Sequence, residues 1–175
     1  MLDRRRAALV VVDVQEAFRA AILDFDALVA NVAVLIESAR LLGVPVLVTE
    51  QYPRGLGSTV PELASLLDGV ERLPKVVFSA VGAEGFDLQG RTQALLCGIE
   101  AHVCVSQTAH ELLAAGVEVQ VAGDAISARS AANREVGMAK MVGAGAVPTS
   151  TETALFELLR RAGSDEFKAI QALVK

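Results

Sequence analysis

Tryptophan is absent from this chain, and one tyrosine and six phenylalanines carry all of its aromatic bulk. Hydrophobic residues make up 53% of it and aromatics only 4%. The core is therefore left to Val, Leu, Ile and Ala, which suit strands buried on both faces of a parallel sheet. Cysteine is nearly as scarce. Cys97 and Cys104 make no disulfide framework, so a reducing, cytoplasmic setting is expected. Basic charge is short as well: 16 Lys and Arg stand against 21 Asp and Glu, a net charge of −5. That balance argues against a nucleic-acid or anionic-membrane surface. The Arg4-Arg5-Arg6 run reads as a solvated lead-in to a strand. No apolar run is long enough to cross a membrane, and the Ala7–Val12 stretch is too short for a signal peptide. A soluble protein of one domain, residues 1–175, is the expectation.

Missing motifs exclude further chemistry. No Gly-x-Gly-x-x-Gly follows a strand, no Gly-Lys-Ser/Thr loop is present to cradle phosphate, and no Gly-x-Ser-x-Gly elbow supplies a serine nucleophile. The two histidines, His102 and His110, lie two turns apart along one segment with no paired ligand nearby, so no metal and no cofactor are expected.

What remains is an alternation of short apolar runs with longer amphipathic ones. Ala7–Val12, Val44–Val48, Val76–Phe78, Thr92–Ile99, Val117–Ala122 and Ala146-Val147 read as strands. Helices are expected from an Asp26 N-cap to Gly43, then over Pro61–Leu67, Cys104–Ala115, Ala131–Val142 and Thr151–Arg161. Glu50–Thr59 reads as a polar loop. The tail from Ser164 carries Phe167, Ile170, Leu173 and Val174 at helical spacing, suited to docking on the domain or on another subunit. This pattern predicts a three-layer α/β/α fold around a six-stranded, mostly parallel sheet with right-handed crossovers. Ligands in such folds sit beyond the carboxyl ends of the strands. Asp13, Glu50-Gln51-Tyr52 and Cys104 fall there. Lys75 does not, because it precedes the Val76–Phe78 run.

Cys104 begins a helix after the turn Gly98-Ile99-Glu100-Ala101, where the macrodipole and free N–H groups favour thiolate. Cys97 lies inside an apolar strand and reads as core. An acid, a cation and a nucleophile drawn from separate strand ends make a hydrolytic site only if Asp13, Lys75 and Cys104 converge. A reactive thiol also fits a redox or electrophile sensor, or an interaction protein on a retained hydrolase fold.

Five stretches carry a family resemblance: Leu9–Gln15 with Phe18; Thr49–Pro53 with Gly55–Gly57; Lys75–Ser79; Gly98–Val105 with Thr108-Ala109; and Asp124–Ser127 with Arg129. The chain resembles the isochorismatase-like cysteine hydrolases, in particular the isochorismatase domain-containing subgroup, nearly end to end. The resemblance implies an isochorismatase-like, Rossmann-like fold. It implies Cys104 as nucleophile, Asp13 as general base and Lys75 as the stabilising cation. A cis peptide between Ile99 and Glu100 is implied too, with the N–H groups of Glu100 and Cys104 forming an oxyanion hole. Where the zinc-containing nicotinamidase branch carries Asp-x-His, this chain reads Glu50-Gln51-Tyr52. The implied activity is hydrolysis of a small amide or related acyl substrate, without cofactor, by a homo-oligomer. Phe18, Tyr52, Phe78 and His102 are the expected pocket wall.

Overall fold

The computed structural model describes residues 1–175. Six strands form one wholly parallel sheet: β1 (Ala7–Val12), β2 (Val46–Gln51), β3 (Arg72–Lys75), β4 (Gln93–Ile99), β5 (Glu118–Ser127) and β6 (Val147–Thr149). Their order is β3-β2-β1-β4-β5-β6, which reverses between β1 and β4 and opens a crevice there.

Both sheet faces are covered, and the period-2 geometry of a strand divides the residues between them. Leu9 and Val11 of β1, with Leu95, Cys97 and Ile99 of β4, pack under α1 (Phe25–Leu41) and α6 (Thr151–Leu159). Val10 and Val12, with Ala94 and Leu96, face α4 (Cys104–Ala114) and Met141 of α5 (Ala131–Gly143). Two one-turn helices, α2 (Pro53–Leu56) and α3 (Pro61–Ala64), follow β2, each with Pro in its first turn. Ser130, Ser150 and Ser164 cap α5, α6 and α7 (Asp165–Leu173) through their side-chain oxygens. The tail helix α7 docks on its own chain, with Ile170 buried beside α1 and α6.

Several boundaries move from the sequence reading. The third strand is Arg72–Lys75, not Val76–Phe78, whose side chains are largely exposed. It is an edge strand, where the missing N–H of Pro74 costs nothing. Lys75 thereby moves to a carboxyl end, facing the same side as Asp13 and Cys104. Glu50 and Gln51 belong to β2 rather than to a loop, and β5 runs on to Ser127. Helix α1 starts at Phe25 behind a left-handed Asp24, so Asp26 lies in its first turn and is not its N-cap.

Glycine is required at two close approaches. Gly98 has φ +111° where β5 carries extra residues opposite β4, and a Cβ there would meet the Val12 carbonyl oxygen. Gly137 of α5 lets the Ala101-His102 turn approach, since a Cβ would lie 2.6 Å from the Ala101 oxygen. Gly143, at the end of the same helix, faces open space. Gly143→Ala is expected to stabilise the protein by about 0.5 kcal/mol. Gly137→Ala is expected to cost roughly 1–3 kcal/mol. Urea unfolding of the two variants separates a shared gain in helix propensity from the clash.

Candidate functional site

Asp13 follows β1 with φ 54°, a left-handed backbone that aspartate tolerates and that turns its carboxylate over the sheet edge. Each oxygen of that carboxylate accepts one hydrogen bond. Oδ1 accepts from Thr49 Oγ1 at 2.7 Å, and Oδ2 accepts from Lys75 Nζ at 2.6 Å. The Lys75 ammonium also donates to Gln51 Oε1 at 2.7 Å, Phe78 O at 2.8 Å and Val77 O at 3.3 Å. Both side chains are shut from solvent, at 0% exposure for Lys75 and 1% for Asp13. Removing one partner of such a pair leaves an uncompensated buried charge, at a cost of about 3–5 kcal/mol.

Cys104 opens α4 after the Ala101–Val103 turn. The Ile99–Glu100 peptide before it is cis. Val103 N and Val105 N both donate to the Glu100 carbonyl, at 3.0 and 3.2 Å. Thr108 Oγ1 donates to the Cys104 carbonyl at 2.7 Å and accepts from Ala80 N at 2.8 Å, which ties the helix start to the segment after Lys75. The N–H groups of Glu100 and Cys104 make no hydrogen bond to another backbone carbonyl.

Electrostatics here correct one sequence expectation. The Cys104 thiol is pushed up to about 12, first by burial and next by the Asp13 charge. The Lys75 ammonium and the Glu100 backbone N–H pull the other way and lose. The resting sulfur is therefore a thiol beside a carboxylate, not a thiolate: the helix N-terminus acts, but burial outweighs it. Burial also raises Asp13 above its ordinary value of 3.8, against the pull of Lys75 and Thr49.

The site forms the floor of an open cleft of about 720 Å³. Phe18, Tyr52 and Phe78 line it, as expected from the sequence, together with Ala17, Ala21 and Leu56. Val76, Ile99 and Val103 complete its apolar wall, and Glu100 and Arg129 supply charge at its edge. His102 does not line it. It sits in the turn that packs against Gly137 of α5, and its Nδ1 is buried there without a partner. Sequence reasoning placed Gln51 at the ligand-binding edge without a role, and named Thr49 and Arg129 only within the stretches that carry the resemblance. Gln51 takes its role as the last residue of β2, where its Oε1 meets the Lys75 ammonium.

Glu50 is spoken for. Its Oε1 accepts from Thr59 N and Thr59 Oγ1, both at 2.7 Å, so this carboxylate holds the loop after β2. Gln15 completes the brace, donating to the Gln51 and Gly57 carbonyls at 3.0 and 2.6 Å and accepting from Gln51 N at 2.8 Å.

Alkylation of Cys104 by iodoacetamide is expected to rise with pH without a plateau through pH ~9, because thiolate is the reacting form. Asp13→Asn removes a charge that raises the thiol's pKa, so the profile should shift to lower pH, roughly tenfold in rate per unit. A plateau in the wild-type protein near neutrality would show a resting thiolate instead.

Comparison with known proteins follows the geometry. The isochorismatase domain model matches residues 7–153. Isochorismatase domain-containing protein 2A of Mus musculus is 44% identical over 170 residues, spanning 95% of this chain and 82% of that protein. Among solved structures, the MAR1 ribonuclease of Caenorhabditis elegans superposes with a TM-score of 0.91 at 37% identity, covering 99% of this chain and 91% of that one. YcaC from Pseudomonas aeruginosa, in a structure with hexane-2,5-diol and covalent acrylamide, gives 0.89 at 27% identity, covering 98% and 90%. On sequence and fold together, with a match that takes in β1 through the start of α6, the chain belongs to the isochorismatase domain family.

Proposed function

We propose that this protein is a cysteine hydrolase of small amides or related acyl compounds. One observation carries the reading: the Cys104 thiol and the Asp13 carboxylate share the floor of an apolar cleft, with the carboxylate locked by Lys75. Asp13 takes the thiol proton as the sulfur attacks the substrate carbonyl. The oxyanion that forms is met by the N–H groups of Glu100 and Cys104, a contribution of about 3 kcal/mol per donor. Collapse breaks the C–N bond, and Asp13 returns the proton to the departing amine. Water, deprotonated by Asp13, then attacks the thioester. The acid leaves, and the sulfur recovers its proton from Asp13.

The raised pKa values serve this cycle. A carboxylate made more basic by burial is a better acceptor for a proton held by a buried thiol, and the transfer moves charge without importing any from solvent. Covalent acrylamide in the YcaC structure shows that a small amide electrophile is accommodated by a related protein. The ribonuclease named for the C. elegans relative fits this site less well. The cleft wall is mostly apolar, and the chain carries a net charge of −5. We take the protein to act in the cytoplasm on a small molecule, as one domain, and to assemble with copies of itself.

A thiol sensor is the competing reading. A resolving cysteine would have to be Cys97, which is fully buried under the opposite face of the sheet from Cys104. Turnover of a small-amide panel with an acyl adduct on Cys104, seen by intact mass, is the expected result. Cys104→Ser and Asp13→Asn should each lower kcat at least ~10²-fold. The acid limb of kcat/KM should lie above the ordinary Asp value of 3.8, with activity rising as pH rises through it. A sensor would depend on the thiol alone and keep its response in Asp13→Asn.

A further inference from the structure

Every charge in the cleft is paired, but one of them keeps unused donors. The Lys75 ammonium is surrounded by oxygen acceptors, and Asp13 is held from both sides. Arg129 is different. Its Nε and its backbone N both bond to Glu100 Oε2, at 3.0 and 3.2 Å, while Nη1 and Nη2 make no hydrogen bond within the protein. The Arg129 side chain is 61% exposed at the cleft edge, and Glu100, which grips it, is 11% exposed. Fixing a guanidinium at Nε leaves its two terminal nitrogens as a preset fork, the geometry that a carboxylate accepts in two parallel hydrogen bonds.

We infer that Arg129 is the specificity-determining group of this cleft, selecting a substrate that carries a carboxylate beside its scissile acyl group. The word substrate rests on the hydrolase reading; the anion-binding fork does not. Glu100 makes the two positions rigid with respect to each other. Its backbone N–H faces the Cys104 sulfur, and its carboxylate holds Arg129. The distance between the reacting carbonyl and the bound anion is thus set within one residue and its partner. Glu100 also limits the charge. Its own negative charge stands against that of any ligand on the same guanidinium, which favours a monoanion over a phosphate dianion. Between the two ends the wall is apolar, formed by Phe18, Leu56, Val76 and Phe78. The ligand class is an amide or related acyl compound with an apolar body and one carboxylate.

The fork can be tested without knowing the substrate, because Cys104 reports on what enters the cleft. Iodoacetate and iodoacetamide differ only by a carboxylate for an amide. N-iodoacetyl-β-alanine and its neutral carboxamide make the same comparison at longer reach. Alkylation rates for both pairs would be followed by intact mass in the wild-type protein, Arg129→Gln and Arg129→Lys, with Cys104→Ser correcting for reaction elsewhere. In Arg129→Gln the anionic probe of at least one pair should slow about tenfold relative to its neutral partner, which should stay within twofold of wild type. Arg129→Lys should restore part of the ratio. Unchanged ratios in both pairs would overturn the inference. Equal slowing of anionic and neutral probes would overturn it too, because Arg129 would then only be propping Glu100. If the ratio moves but no amide is turned over, the anion site stands and the hydrolase reading falls.

Discussion

A lysine ammonium shut away from water demands oxygen on every side, and the ends of three strands are arranged to provide it. Lys75 closes β3, Gln51 closes β2, and Asp13 follows β1; the ammonium joins all three and also takes the carbonyls of Val77 and Phe78. Solvation lost by burying the charge is replaced by this fixed shell, and most of its members depend on each other. Thr49 holds the second oxygen of Asp13, while Gln15 braces Gln51 through its backbone. Through the same contact the rim segment that presents Val76 and Phe78 to the cleft is tied to the cation beneath it. Floor and wall are set together.

The same burial governs the chemistry. A thiol at a helix start in water-exposed surroundings would ionise readily, and the approach of a carboxylate would reverse that only in part. Here the low-dielectric floor disfavours the thiolate, and the nearby Asp13 charge disfavours it further. The pair consequently rests as thiol plus carboxylate, with one negative charge matched to one ammonium. In the proposed cycle an additional negative charge would appear only when a carbonyl receives electrons from sulfur, and the N–H groups of Glu100 and Cys104, which bond to no other backbone carbonyl, are the donors available to it.

How much of this could be read from residues alone depended on whether the determinant was local. Alternation of Val-rich runs with amphipathic stretches made the parallel sheet and its helices legible, because each strand had to be apolar on both faces. Asp13 and Cys104 were legible as residues at the ends of such runs. Lys75 was misplaced by one strand boundary: Val76-Val77-Phe78 is the more apolar run, and the edge position that lets Arg72–Lys75 be the strand is a property of the sheet order. Pocket membership was partly legible. Phe18, Tyr52 and Phe78 do line the cleft, but His102, only two residues from Cys104, turns toward α5 because Gly137 lets that turn come close. Arg129 lies 25 positions beyond the cysteine, and nothing local announces that β5 continues far enough to bring it back to the same edge.

The two cysteines show how little residue type decides. Cys97 and Cys104 are both buried, and burial raises the thiol pKa of each. They differ in where the chain takes them after β4. Cys97 points to one side of the sheet, among Val11, Ile99 and the residues of α1. Gly98 then bends the chain at φ +111° against the Val12 carbonyl, an approach too close for any side chain. From that bend the chain turns through Glu100 and Ala101 and starts α4 on the other face. The end of β4 thus passes directly over the end of β1, at the reversal in strand order, and the sulfur that emerges there meets the carboxylate that follows Val12. A missing side chain at one position is what separates a core cysteine from one that shares a cleft with an acid and a cation.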